Sequence, residues 1–115
     1  MNTPTEDRRW AEEYLARRLL DDLQKAILKG ALAALPAGGA IERVTRRDVV
    51  HDWLRVNGED IGGVYHADQA DTGLRAVAAL MIDGLVERVH NRLYRLTERG
   101  RAVAGRLRDA GQRKP

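Results

Sequence analysis

The sequence predicts a mainly helical domain with one small β-hairpin. Two observations carry the helical part: apolar residues recur at three- and four-residue spacing from Trp10 to Leu35, and again from Leu74 to Met81. A third carries the hairpin: "LVERV" and "RLYRLT" alternate apolar and polar residues around His90–Asn91. At 115 residues and 43% hydrophobic content the chain suits a single domain with a modest core. Phe is absent, so Leu, Val, Ile and Ala must fill the interior, with Trp10, Trp53, Tyr14, Tyr65 and Tyr94 as the aromatic residues.

Taken in order, residues 1–35 form an N-terminal helical region. Trp10, Tyr14, Leu15, Leu19, Leu23, Ile27, Ala31 and Leu35 make its stripe, Glu6 and Asp7 suit the positive end of a helix dipole, and Pro36–Gly39 stops it. The run reads as one long helix or as two meeting near Asp21–Asp22 or Gly30. "IERVT" (41–45) is a short strand. Thr45, with Asp48 three residues on, caps a helix "RRDVVHDWLRV" that buries Val49, Val50, Trp53 and Leu54 and ends at Asn57–Gly58. A third helix starts at Asp68 or at Asp71–Thr72, buries Leu74, Val77, Leu80 and Met81, and stops at Gly84. Gly73 is its one discordant residue. After the hairpin, residues 98–110 form a C-terminal helix with Val103, Leu107 and Ala110 on one side.

Charge is divided unevenly along the chain. Residues 1–84 hold 11 Lys and Arg against 14 Asp and Glu, and residues 85–115 hold 9 against 3, so a net −3 precedes a net +6. A basic end on an acidic body makes a directed field, for which nucleic acid is the natural partner.

Helix, strand, helix, helix and hairpin is the order of a winged helix-turn-helix, in which two crossed helices present a third to the DNA major groove. The segment "ALMIDGLVERVHNRLYRLTERGRAVA" resembles the closing half of winged-helix domains in bacterial transcriptional regulators of the MarR and PadR type. The matching positions are Leu80, Gly84, Leu85 and Val86, then Tyr94, Leu96, Thr97 and Gly100. The resemblance implies a winged-helix core over 41–97 within one domain spanning 1–115. It also implies sequence-specific binding of double-stranded DNA by a small transcriptional regulator.

Carried onto this chain, the third helix would meet bases through Gln69, Thr72, Arg75 and Ala79. Arg75 suits a bidentate contact to guanine, Gln69 to adenine, and the Thr72 methyl suits thymine. Arg46 and Arg47 at the start of the second helix, and Arg88, Arg92 and Arg95 on the wing, would meet phosphates. A homodimer is expected, because one small module buries too little DNA for strong selectivity; the first and last helices offer the surfaces. Asp68 and Asp71 fit helix caps, or a winged helix whose partner is protein. DNA binding in replication, segregation or phage recombination is equally compatible with these residues.

Other classes find little support. The chain has neither Ser nor Cys, the commonest nucleophiles, so no enzyme is expected. "NGEDIGG" fits neither the dinucleotide nor the phosphate-loop pattern, so no cofactor is expected. His51, His66 and His90 are too scattered for a metal site. The polar N-terminus, the lack of a long apolar run and the absence of Cys make a cytoplasmic, membrane-free protein the expectation.

Overall fold

The computed structural model describes residues 4–34, 41–44, 53–60 and 70–112. The N-terminal region consists of two helices, α1 (Pro4–Arg17) and α2 (Asp22–Ala33). Asp21 is the reason for the break. Its backbone is extended, its carboxylate accepts the Gln24 N–H at 2.7 Å, and its own N–H donates to Gln24 Oε1 at 3.1 Å. This reciprocal pair satisfies donors that the first turn of α2 would otherwise leave open.

The β1 strand (Ile41–Val44) follows, and then the largest departure from the sequence pattern. Trp53–Val56, expected as the end of a helix, is a strand, β2. Asn57–Gly58, expected as a helix stop, is the two-residue loop joining β2 to β3 (Glu59–Asp60). Both loop residues have positive φ, 53° and 81°, which is what a tight hairpin turn needs and what Asn-Gly adopts most cheaply. The helical reading rests on the three- and four-residue spacing of Val49, Val50, Trp53 and Leu54, whereas Leu54 and Val56, both buried, stand one strand repeat apart, a spacing that belongs to a strand. Val49 and Val50, like the proposed cap Thr45, lie outside the described residues, and so does the Trp53 side chain.

The third helix, α3 (Ala70–Ile82), and the hairpin strands β4 (Val86–His90) and β5 (Leu93–Leu96) stand where expected, with the turn at Asn91–Arg92 rather than His90–Asn91. The last helix, α4, runs Glu98–Gln112. The hairpin is not isolated. The strands form one antiparallel five-stranded sheet in the order β3-β2-β1-β5-β4, with β1 pairing both β2 and β5. The fold is therefore helical with an antiparallel sheet, larger than the hairpin and separate short strand that the sequence suggests.

Helices α2 and α3 pack against β2. Ile27 and Leu28 of α2, Leu80 of α3, Ile41 of β1, and Leu54 and Val56 of β2 are among the largest fully buried side chains, each contributing about 2 kcal/mol by burial. Gly73, discordant as a helix residue, explains the closeness of α3: a Cβ there would stand 3.0 Å from Leu54 Cβ. Gly30 of α2 stands likewise against Val56, at 2.9 Å from Cγ1.

Helices α1 and α4, the surfaces the sequence offers for dimerisation, pack on each other. Trp10 stacks on Tyr14 with ring centroids 5.2 Å apart, and the Arg99 guanidinium lies 4.6 Å over the Trp10 ring. Val103 and Ala104 of α4 are buried, as are Ala11 and Tyr14 of α1. Among the described residues no helix is long and apolar enough to cross a membrane.

Candidate nucleic-acid interface

The end of α3 sets the hairpin's position. Gly84 has φ 81°, Leu85 N–H donates to Leu80 O at 2.9 Å, and Gly84 N–H donates to Met81 O at 3.0 Å. These two bonds are the Schellman arrangement, in which a left-handed residue closes the last turn. Leu80 and Leu85 are both fully buried beneath it. Tyr14 Oη then donates to Asp83 Oδ2 at 2.6 Å, and Arg18 Nε lies 3.3 Å from the same oxygen. Burial and the adjacent Asp83 carboxylate hold the Tyr14 phenol well above its ordinary pKa. The helix end and the start of β4 are thus tied to α1.

Among the described side chains of α3 the exposed ones are Arg75, Ala78 and Ile82, successive points on one helical face, with Ala79 half-buried beside them. Arg75 is the one charged residue between 73 and 82. Small side chains next to a single arginine allow close approach of a partner surface. Thr72 lies in the first turn of α3, and its side chain is outside the described residues. Arg46, Arg47 and Gln69 are outside them entirely.

The hairpin sorts its arginines onto two faces. Glu87 opposes Arg95, and Arg88 opposes Tyr94. Because side chains alternate, Arg88 lies on the Tyr94 side of the sheet and Arg95 on the other. Arg95 Nε meets Glu87 Oε1 at 2.5 Å, so its charge is largely offset by its neighbour. A bulge between Arg88 and His90 bends the tip, and Arg92 N–H donates to His90 Nδ1 at 3.2 Å within the turn. Further along, Arg99 covers Trp10 and Arg106 Nη1 lies 3.5 Å from Glu12 Oε1. Several arginines of the basic end therefore hold α1, α4 and the strands together.

Two arginines outside the expected set join the hairpin tip. Arg43 of β1 donates its N–H to Arg92 O at 2.9 Å, and with Arg88, Asn91, Arg92 and Tyr94 it lines a concavity of about 340 Å³. Arg55 of β2 lines a second concavity with Arg43, Arg92, His90 and Glu42. Arg43 is visible in "IERVT" once the strand is extended toward the hairpin tip. Arg55 becomes visible only if Asn57–Gly58 is read as a hairpin turn. The concavity on the Tyr94 side gathers guanidinium groups from β1 and the hairpin, whereas Arg55 of β2 lies on the opposite sheet face with its register partner Glu42.

Comparison of the chain with known protein families, with curated proteins and with solved structures gives no match. The functional reading rests on the residues themselves.

Proposed function

We propose that this protein binds double-stranded DNA as a small, sequence-specific transcriptional regulator of winged-helix type. The observation that carries the reading is the gathering, at the hairpin tip, of Arg88 and Arg92 from the basic C-terminal part with Arg43 from the acidic part of the chain. In this reading α3 enters the major groove with Arg75 reading guanine and Thr72 and Gln69 beside it. The hairpin and the Arg46–Arg47 stretch lie along the backbone, supplying register and salt-dependent affinity. The β1–β5–β4 part of the sheet takes the role of the wing, and α2 that of a supporting helix. The protein acts as a homodimer on a pseudo-palindromic site.

Selection of bound duplexes from a randomised pool tests this. An enriched inverted repeat is the expected result. Recovery of unenriched sequences removes the specific-regulator reading, leaving at most an architectural role.

A second reading, a module that docks onto another protein, is favoured by one feature. Leu19 is 92% exposed and Ile82 85% exposed, and they adjoin in sequence the paired Arg18 and Asp83. Two exposed large apolar side chains, each next in sequence to a member of one ion pair, offer apolar surface that protein covers more readily than DNA. Loss of a partner on Ile82→Asp, with DNA affinity unchanged, would favour it.

A further inference from the structure

We propose that the corner between α1 and α2, together with the end of α3, is the surface on which two copies of this chain associate. Leu19 and Ile82 of each copy meet Ile82 and Leu19 of the other. The inference names the interface of the homodimer in the proposed function; it rests on that reading for the dimer and not for the DNA.

The apolar centre follows from how the corner is built. Residues 18–21 join α1 to α2 outside either helix. Leu20 is buried and anchors the corner in the core, while Leu19 next to it is turned out to solvent. Ile82, the last residue of α3, is also exposed. Asp83 Oδ2 holds these places together, lying 3.3 Å from Arg18 Nε and 2.6 Å from Tyr14 Oη. Among the described residues Val89, on the hairpin, is the one other exposed large apolar side chain.

The charges on either side of Leu19 say what covers it. Arg17 to Asp22 reads "RRLLDD": two cations, two leucines, two anions, with all four charged residues exposed. Laid antiparallel on itself across a two-fold axis, the segment sets Arg17 against Asp22 and Arg18 against Asp21. An isologous contact makes each of these pairs twice. Another protein would have to bring the same order of charges; a second copy already carries it. The pairs do not compete with the contacts inside each copy. Arg17 Nε donates to Glu13 O, Arg18 Nε meets Asp83, and Asp21 Oδ1 caps α2. Each guanidinium has five donors and each carboxylate two oxygens, so these contacts use only part of their capacity. On α3, Ile82 lies two turns and about 10 Å from Arg75 along the same face, so dimer contact and base reading use different stretches of the helix.

Sedimentation velocity of the full chain without DNA, from about 5 µM to about 500 µM, tests the interface, since two large apolar residues per copy suit a dimer of modest affinity. The parent should pass from monomer to dimer across that range. L19E and I82E, each shown to be folded by its melting curve, should weaken association at least about tenfold. R17E and D22K should each associate poorly alone, because like charges then face one another. Their equimolar mixture should recover the association of the parent, because every pair between unlike copies is again of opposite charge. A parent that stays monomeric at the highest concentration overturns the interface, and so does a dimer that L19E and I82E leave unchanged. A mixture no better than either variant overturns the antiparallel pairing. Duplex binding by anisotropy separates the two readings: a monomeric parent that binds duplex loses the interface and keeps the DNA, and a dimeric parent that binds none loses the DNA and keeps the interface.

Discussion

The carbonyl oxygen of Leu85 occupies the place where a side chain at position 100 would begin: a Cβ built on Gly100 stands 1.9 Å from it. That approach follows from how Thr97 joins the hairpin to α4. Its N–H donates to the same Leu85 carbonyl at 3.0 Å, and its hydroxyl donates to Gly84 O at 2.6 Å. The hydroxyl also accepts the Gly100 N–H at 3.0 Å, which caps α4. The spacing "LTERG" is thus one device, in which Thr97 caps the helix and Gly100 leaves room for the strand it crosses.

Gly100→Ala should be among the most damaging single changes in the chain. The obstacle is backbone, which cannot swing aside as a side chain would, so a loss of about 3 kcal/mol is expected. Urea unfolding against the parent measures it, with Gly105→Ala as a control, since a Cβ there meets nothing within 4 Å. Equal stability of the two variants would mean that β4 and α4 are not this close.

Gly73 gives a sharper test of the sheet. A helix read from sequence alone would welcome an apolar side chain at this position. The contact with Leu54, 3.0 Å from the nearest Cβ position, leaves no volume for one. Gly73→Leu is expected to cost about 2 kcal/mol or more in urea unfolding despite its better helix propensity. A stabilised variant would place β2 elsewhere.

Much of the architecture is legible in the residues. The α3 stripe, its Gly84 stop, the hairpin and the last helix follow from periodicity and turn chemistry. Tyr94 and Leu96 follow as core residues from strand alternation. The break between α1 and α2 is also open in the sequence, though only the Asp21–Gln24 pairing decides it. What periodicity could not give is β2. Its four residues hold too little pattern to outweigh a preceding helical run, and its partner β1 lies outside the window in which a local pattern is judged. Arg43 and Arg55 were hidden for that reason. Their relation to the hairpin is a property of sheet register, and register is a non-local fact.

The Tyr14–Asp83 bond should show in the pH dependence of stability. The folded chain holds the phenol proton more tightly than the unfolded chain does, because burial and Asp83 disfavour the phenolate. This contribution is complete below the unfolded value near 10 and is lost as pH rises above it. Tyr14→Phe is expected to lose about 1.5 kcal/mol at neutral pH. Its stability should fall less than that of the parent when urea midpoints are compared between about pH 9 and 11. Parallel decline of the two proteins would remove the bond from the account of how α1 is held.

Charge reversal separates the two binding surfaces. Arg75→Glu should abolish preference for a selected duplex, since a base contact of this kind carries about 1–3 kcal/mol of discrimination. Arg92→Glu should weaken binding to selected and unselected duplexes alike. Both side chains are exposed, so melting temperatures should stay close to that of the parent. Electrophoretic mobility shifts on the two duplex classes give the comparison, and unchanged affinity in both variants would displace the surface from α3 and the hairpin.

The most direct measurement is the affinity of the unmodified chain for a fluorescent duplex, followed by anisotropy at several salt concentrations. Log affinity should fall linearly with log salt, at a slope of roughly −0.9 for every phosphate neutralised, with the hairpin arginines contributing. No binding to any duplex at low salt, or binding indifferent to salt, would contradict a role for these arginines on DNA.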